Sequence, residues 1–259
     1  MPRVAAANWL GLLAMLGLLG LWETLVAAGL LDYEYVPAAS EVVAAAGRLT
    51  ISGEMAEATG HTLRVVLLGW LAAGTIGLGL GLLLGLSDRA WRWSMASLEA
   101  VRAIPPICLV PVALLVFGFS IRMELTIIVY AAAWPVMINT IDGVRGVRPE
   151  LLQVARILRM SRAETVRRII LPSALPLAIV GLRLGLSFAL VLAIVAEVAG
   201  NPSGLGYAIV AAQQALRPDE MFAYVIAIGV LGVTLNAAFR LLVRRALPSV
   251  AGTPQTRAI

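Results

Sequence analysis

Few residues in this sequence could do chemistry. The chain of 259 residues has one cysteine, Cys108, and one histidine, His61, and all 20 of its basic residues are arginines. Without lysine, a standard Walker A nucleotide site and Schiff-base chemistry are both excluded. One cysteine and one histidine cannot make a Cys/His metal cluster or a disulfide framework. This inventory favours a transport or scaffold protein, so we expect no enzyme activity, no cofactor or metal bound by this chain, and no nucleic-acid partner.

Ionisable residues inside apolar segments are the main candidates for a function. A charge in the bilayer is costly, so Glu23, Arg183 and Glu197 each carry a functional hypothesis. Arg183 and Glu197 lie about 21 Å apart along a helix that rises 1.5 Å per residue, so they cannot pair with each other. We name Glu197, Asn139 and Arg183 as translocation-path candidates. The alternatives are an interfacial carboxylate satisfied by backbone or by Asn201 for Glu197, and an interhelical hydrogen bond for Asn139.

The composition places these residues in a membrane protein. Hydrophobic residues make up 60% of the sequence and charged residues 14%, with a mean hydropathy of +0.91, whereas soluble domains are about 25% charged. Crossing roughly 30 Å of hydrocarbon takes about 20 apolar residues in a helix. The sequence predicts an all-α membrane protein, a single transmembrane domain over residues 1–259 with six spans: about 9–31, 62–86, 100–118, 122–141, 176–199 and 221–243.

Arginine placement predicts the orientation of these spans. Arg3, the segment 87–99, the loop 142–172 and the C-terminal tail all carry arginines, and they fall on one side if six spans are correct. The opposite side is mainly acidic. The positive-inside rule therefore predicts that both termini are cytoplasmic. A cleaved signal peptide is the alternative for the first span, and we disfavour it because the apolar run continues to Leu31, past Glu23.

The predicted cytoplasmic loop 142–172 is too long for a simple connection. Pro149 suits the first turn of a helix, where its missing amide hydrogen leaves no bond unmade. Leu151, Ala155 and Leu158 then recur with helical spacing and give one apolar stripe beside several arginines. A first short helix is therefore predicted from Pro149.

A second short helix is predicted directly after the first. Ser161 and Glu164 have the spacing of a capping box, in which each side chain bonds the other residue's exposed amide. We expect this helix to run to Leu171 and to stop at Pro172. A helix–break–helix with an apolar stripe and an arginine-rich outer face suits docking against another protein. An interfacial helix pair resting on anionic headgroups is the alternative.

Three further patterns predict local structure rather than chemistry. Small residues at Gly77, Gly81 and Gly85 lie on one helix face and should let a neighbouring helix approach closely. Ser40 is expected to cap a short amphipathic helix at the outer membrane face. For His61, just before the second span, we expect a simple surface role, with pH sensing as the alternative.

The loop 142–172 also carries a family motif. From Gln153 it reads Gln-Val-Ala, three residues, Arg159, nine residues, then Ile-Ile-Leu-Pro. This resembles the loop of bacterial ABC importer permease subunits, which reads Glu-Ala-Ala, three residues, Gly, nine residues, Ile-x-Leu-Pro. The spacing matches throughout, and the positions identical to the family motif are Ala155, Ile169, Leu171 and Pro172.

Other short segments extend the resemblance over about residues 35–245. They are Thr62-Leu63-Arg64, Ala103-Ile104-Pro105-Pro106, Asn139-Thr140, Gly181-Leu182-Arg183, Ala196-Glu197 and Gly204-Leu205-Gly206-Tyr207. Together they are similar to the nitrate, sulfonate and taurine branch of these permeases. The resemblance implies a type I ABC importer-like fold, with a coupling-helix pair between the fourth and fifth transmembrane helices.

The resemblance also implies a function and a set of partners. The chain would be the permease subunit of an ATP-driven importer in the bacterial inner membrane, forming half of the path for a small anionic solute such as nitrate, a sulfonate or taurine. The implied partners are ABC ATPase subunits that hold ATP and Mg²⁺, a periplasmic or lipid-anchored solute-binding protein, a second permease copy or paralogue, and the lipid bilayer. The alternative is a self-contained secondary carrier or channel, which usually needs internal repeats that the sequence does not display.

Ten coupling residues follow from the motif, and two depart from it. The implied ATPase-coupling residues are Gln153, Val154, Ala155, Leu158, Arg159, Ser161, Glu164, Ile169, Leu171 and Pro172. Gln153 replaces the family's glutamate, so a charge-assisted contact becomes a neutral hydrogen bond of about half the strength. Arg159 replaces the family's glycine, which allows a positive φ at a helix end. Either Arg159 accepts that strained conformation or the break shifts toward Ser161.

Overall fold

A computed structural model of the protein describes residues 9–30 and 35–247, and over those ranges all regular structure is helical. The helices are α1 (Trp9–Ala27), α2 (Ala39–Ser52), α3 (Glu54–Leu86), α4 (Asp88–Arg102), α5 (Val110–Phe117), α6 (Ile121–Arg145), α7 (Pro149–Ile157), α8 (Arg162–Thr165), α9 (Leu171–Val198), α10 (Leu205–Gln214) and α11 (Pro218–Ala246). A 3₁₀ turn (Pro106–Leu109) precedes α5, and a π-helical turn (Val166–Ile170) joins α8 to α9.

Within the described residues, four helical segments are long and apolar enough to cross a bilayer. They are α3, α6, the continuous segment Arg162–Val198 and α11. They correspond to the predicted second, fourth, fifth and sixth spans. The first predicted span, 9–31, exceeds α1, because a turn follows Ala27. The cytoplasmic placement of both termini, including Arg3, falls on residues outside the described ranges and stays a prediction.

The third predicted span, 100–118, is not one straight helix. α4 and the segment Pro106–Phe117 meet at an angle of 77°. The break contains Pro105, which adopts extended backbone (φ −62°, ψ 129°). A proline lacks the amide hydrogen that continues a helix and pushes the preceding residue away from helical backbone. If the bent pair is one broken span, the described helices give up to five crossings, so the count of six stays a prediction.

The centre of the bundle is α6, packed between α3 and α9. The glycine stripe of α3 faces α6, as predicted. A Cβ added at Gly81 would lie 2.6 Å from Thr140 Cβ and 2.9 Å from the Met137 carbonyl oxygen. From the opposite side, a Cβ at Gly181 of α9 would lie 2.9 Å from Asn139 Cβ. The missing side chains therefore set the distance between the backbones of the three helices.

The start of α2 corrects one prediction. The residue before the helix is Ala38, whose amide donates to the Glu41 carboxylate at 3.0 Å. Ser40 is not the cap: its amide and its hydroxyl both donate to the Glu23 carboxylate of α1, at 3.0 and 2.7 Å. A carboxylate is a stronger hydrogen-bond acceptor than a serine hydroxyl, so the amides at the start of α2 donate to Glu41 and Glu23 rather than to the Ser40 side chain. Glu23 therefore joins α1 to α2.

Candidate coupling loop and outer polar cluster

The end of α7 resolves the two alternatives for Arg159. This residue takes left-handed backbone, with φ +51°. Its amide donates to the Arg156 carbonyl at 3.0 Å, and the Met160 amide donates to the Ala155 carbonyl at 3.0 Å. These two bonds form a Schellman motif, in which glycine usually holds the left-handed position. The break therefore stays at Arg159 and does not shift to Ser161.

The second helix of the loop begins as predicted but does not end as predicted. The Ser161 amide donates to Glu164 Oε2 at 2.9 Å, and the Glu164 amide donates to Ser161 Oγ at 3.3 Å, which completes the capping box. The predicted stop at Leu171 and Pro172 is wrong, because the chain stays helical from Arg162 to Val198. The π turn makes this possible: the Leu171 amide donates to the Val166 carbonyl, five residues back, and Pro172 then falls in the first turn of α9.

The apolar residues of α7 face in two directions. Ala155 is 3% exposed and packs inward, and Leu151 is half-buried. By contrast, Val154, Ile157 and Leu158 are 47%, 79% and 66% exposed. The predicted stripe therefore joins the buried Ala155 to the exposed Leu158, which directly follows α7. We call Val154, Ile157 and Leu158 the docking patch, because a contiguous exposed apolar patch is typical of an interaction site.

Other predicted coupling residues lie on α7, in the π turn and at the start of α9. Gln153 is exposed on α7, and Ile169 is half-buried in the π turn. Leu171 and Pro172 are exposed at the start of α9. Ile169, Leu171 and Pro172 lie on one continuous helix and not on two helices separated by a stop. This part of the loop therefore leads directly into the fifth predicted span.

A second site lies at the opposite ends of α6 and α9 from the coupling loop. We call it the outer cluster, and its members are His61, Thr62, Glu124, Glu197 and Asn201. Both glutamates are fully buried, as is Thr62, and Asn201 is 5% exposed. The cluster joins α3, α6, α9 and the loop that leads to α10.

Glu197 is held by α3 and by the start of α10. Thr62 Oγ1 donates to Glu197 Oε1 at 2.7 Å, and the Gly206 amide donates to Glu197 Oε2 at 2.8 Å. The Leu205 amide donates to Thr62 Oγ1 at 2.9 Å. Gly204 has φ +95°, and a Cβ there would overlap the Glu197 carboxylate. Glu197 is therefore a buried carboxylate that accepts from a backbone amide, as one of the sequence-based alternatives expected, and its described hydrogen bonds do not include Asn201.

Glu124 is the functional candidate that sequence reasoning missed. Both of its carboxylate oxygens lie 3.2 Å from His61 Nε2, and Asn201 Nδ2 donates to its Oε1 at 2.5 Å. The signal was present, because a carboxylate near the start of an apolar span meets the criterion that selected Glu197. His61 is 23% exposed and faces Glu124, so the expected simple surface role is wrong.

The other two translocation-path candidates lie apart from this cluster. Asn139 Nδ2 donates to the Pro135 carbonyl of its own helix at 2.8 Å, which is not the interhelical bond that we considered. Arg183 Nε lies 3.5 Å from Asn236 Oδ1 of α11. The structure therefore does not bring Asn139, Arg183 and Glu197 together.

An open cavity of about 830 Å³ borders the outer cluster. It lies between α3, α10 and the start of α11. His61, Arg64 and Tyr207 line it, with Arg217 and Glu220 at the α11 end. Arg217 contacts Glu220 at 3.4 Å, so Arg64 is the lining arginine without a described ion pair.

Known proteins resemble this chain in sequence over most of its length. A permease described as a putative aliphatic sulfonates transport protein, SsuC of Bacillus subtilis, is 33% identical over 241 residues, which is 93% of this chain and 87% of that protein. The taurine transport system permease TauC of Escherichia coli is 29% identical over 92% of this chain and 88% of its own length. The nitrate import permease NrtB of Leptolyngbya laminosa is 28% identical over 72% of this chain and 67% of its own length.

Solved structures share the fold at low sequence identity. An amino acid ABC transporter chain covers 82% of this chain, and 97% of its own length, with a TM-score of 0.61 at 17% identity. A chain of the inward-facing MetNI methionine ABC transporter covers 69%, and 92% of its own length, with a TM-score of 0.54 at 18% identity. Residues 76–252 match the model of the family described as binding-protein-dependent transport system inner membrane component. The chain belongs to that family, and it is a multi-pass permease of the inner membrane rather than an enzyme.

Proposed function

We propose that this permease forms half of the path of an ATP-driven importer for a sulfonate or a similar compact oxyanion. It pairs with a second copy or a paralogue, receives solute from a binding protein and docks on a separate ATPase subunit. The docking patch carries the coupling part of this proposal, because Val154, Ile157 and Leu158 are exposed apolar residues on a loop that bears the family motif.

The loop has the mechanical continuity that coupling needs. α8 runs through the π turn into α9 without a stop. A displacement of the docking patch by an ATPase is therefore passed through Arg159 and the capped start at Ser161 to a membrane-spanning helix. A hinge at Pro172 would have absorbed such a movement. The chain has no hinge there, because the π turn before Pro172 keeps the helical hydrogen bonds continuous.

The solute class rests on the relatives and on the cavity. The relatives' names state aliphatic sulfonates, taurine and nitrate. Sulfonate and nitrate groups are compact oxyanions, which the planar guanidinium of arginine can bind by two parallel hydrogen bonds. Arg64 offers such a group to the cavity beside the outer cluster. We favour a sulfonate because the sulfonate permease of Bacillus subtilis is similar over 93% of this chain.

The coupling proposal is tested by placing a charge in the docking patch. We expect Ile157→Asp to remove the ATPase from the purified complex and to abolish uptake, because a carboxylate would have to be desolvated in the interface. Ile51→Asp is the matched control, since Ile51 is 89% exposed on α2, outside the loop. The control should keep the ATPase. Retention of the ATPase by Ile157→Asp would contradict the proposed docking.

The solute proposal is tested separately by uptake into cells that lack their own sulfonate importer. Labelled taurine, butanesulfonate and nitrate are compared, with the binding protein and ATPase co-expressed. Uptake of a sulfonate that requires the ATPase supports the proposal. Uptake of nitrate alone contradicts the solute class but leaves the coupling intact. Ion-driven uptake by the chain without any ATPase favours a secondary carrier and refutes the importer.

The two departures from the family motif allow one further test. We infer that the ATPase groove of this system has adapted to Gln153 and Arg159. The double variant Gln153→Glu, Arg159→Gly restores the family residues, and we expect it to transport more slowly. Faster transport in uptake assays would mean that the partner groove still fits the family motif.

A further inference from the structure

We propose that His61, Glu124 and Glu197 bind one divalent cation of the zinc type in the outer cluster. The proposal goes beyond the transport function and does not depend on the solute. It replaces the sequence-based expectation of no metal ligands, which considered only cysteine and histidine clusters. The three residues come from α3, α6 and α9, and the sequence separates them by more than half of the chain.

The geometry of the three side chains matches a zinc site. Each offers one ligand atom, and these atoms all lie within 4.8 Å of one another. His61 Nε2 is 3.2 Å from either oxygen of Glu124. Two ligands bound at 2.0–2.1 Å in a tetrahedral zinc site are about 3.3 Å apart. The His61–Glu124 pair already has this spacing, and Glu197, whose ligand atom lies within 4.8 Å of the other two, would move closer to supply the third ligand.

The charge of the cluster calls for a cation. Two carboxylates are fully buried here, and among the described residues no arginine lies within 4.0 Å of either one. A buried charge without compensation is strongly unfavourable. A divalent cation balances Glu124 and Glu197 while His61 binds as a neutral imidazole. Zinc accepts both histidine nitrogen and carboxylate oxygen as ligands, so a set of one histidine and two carboxylates suits this metal.

Hydrogen-bond donors outside the proposed ligand set contact both glutamates. Thr62 Oγ1 and the Gly206 amide each donate to Glu197, and Asn201 Nδ2 donates to Glu124. Such partners hold a metal ligand in its binding orientation and are a regular part of metal sites.

The cluster is also accessible. His61 is 23% exposed, and it borders the cavity of about 830 Å³. A cation can therefore enter from the cavity, and a water from the same side can complete the fourth position. A site with three protein ligands and one open position is a regular zinc arrangement. The bound cation would tie the outer ends of α3, α6 and α9 together.

The test uses the full chain, without a histidine tag, co-purified with its ATPase and stripped with a chelator. Zn²⁺ or Co²⁺ is added, and bound metal is measured by mass spectrometry after gel filtration. We expect one cation per chain, with visible Co²⁺ absorption typical of tetrahedral ligation. His61→Asn and Glu124→Gln should each weaken binding at least about 100-fold, and Thr62→Val about 10–100-fold. Glu220→Gln, in the same cavity but outside the cluster, should bind as the wild type does.

A second measurement keeps the proposal testable if a variant fails to fold. His61 is the only histidine in the chain, so its modification by diethylpyrocarbonate can be followed on the unaltered protein. Zn²⁺ should protect His61 from this reagent. The absence of protection, or of bound metal in the wild type, overturns the proposal and leaves a hydrogen-bonded cluster with a shared proton. Metal binding that survives both His61→Asn and Glu124→Gln overturns it as well.

Discussion

Replacing Gly204 by alanine should destabilise the protein strongly, through two effects that can be separated. Gly204 has φ +95° and ψ 173°, a region that only glycine occupies readily. Holding another residue there costs of the order of 1–3 kcal/mol. The new Cβ would also overlap the Glu197 carboxylate, and overpacking of this kind costs about 1–3 kcal/mol.

The combined cost predicts a large shift in thermal stability. The two effects amount to about 2–6 kcal/mol if they add, and 1 kcal/mol lowers the midpoint by about 2–4 °C in a chain of this size. Gly204→Ala should therefore lower the midpoint of the detergent-solubilised complex by at least about 4 °C. Gly53→Ala is the control, because Gly53 has φ +86° but nothing within 4 Å of an added Cβ. It should lose only the backbone contribution.

A double-mutant cycle isolates the contact with the carboxylate. In a Glu197→Ala background the obstacle is gone, so Gly204→Ala should cost less there than in the wild type. The difference should be about 1–3 kcal/mol, within the range of coupling energies between contacting residues. A Gly204→Ala midpoint equal to that of Gly53→Ala, or a cycle with no coupling, would refute the idea that the glycine exists to make room for Glu197.

Three further sets of substitutions test the packing and the helix ends. Gly81→Ala should destabilise the protein by about 1–3 kcal/mol, because its Cβ would lie 2.6 Å from Thr140 Cβ. Gly79→Ala is the control and should not lower the melting midpoint, because the space around Gly79 is open. Equal midpoints for the two variants would exclude close packing of α3 on α6. Arg159→Gly should raise the melting midpoint by relieving a left-handed residue worth about 1 kcal/mol, and a lower midpoint would show that the arginine side chain stabilises the loop. Glu23→Gln and Ser40→Ala should each lower the melting midpoint. The double variant should melt only slightly lower than either single variant, because both substitutions remove the same α1–α2 contact. A double variant whose loss equals the sum of the two single losses would argue against that contact.

Local patterns predicted local structure well in this chain. The capping box at Ser161 and Glu164 and the glycine face around Gly81 depend on residues within one or two turns, so their spacing was enough. The composition likewise predicted a membrane protein, and four spans follow from apolar length alone. The left-handed backbone of Arg159 was one of two predicted outcomes. The motif predicted where the first helix of the loop would break, but not whether an arginine would adopt the strained conformation there.

The errors arose where one element depends on another. Ser40 has the residue type of a cap, but Glu23 on another helix offers a stronger acceptor. Pro172 is a regular stop signal, yet a π turn before it keeps the helix continuous. The pairing of His61 with Glu124 joins residues 63 positions apart, and only the packing of α3 on α6 brings them together. Each case requires a tertiary contact that periodicity does not encode.

The two sites are mechanically connected, because Ser161 and Glu197 lie at opposite ends of one helical segment. From Arg162 to Glu197 the helix is about 52 Å long at 1.5 Å per residue. A tilt of about 5° driven at the docking patch would move the far end by about 4–5 Å if the near end were fixed. Glu197 is bonded to Thr62 on α3 and to Gly206 on α10, so such a tilt must either carry α3 and α10 with it or break those bonds. If the coupling loop moves as we propose, the outer cluster is where the fold would resist that movement, and the proposed cation would raise the resistance.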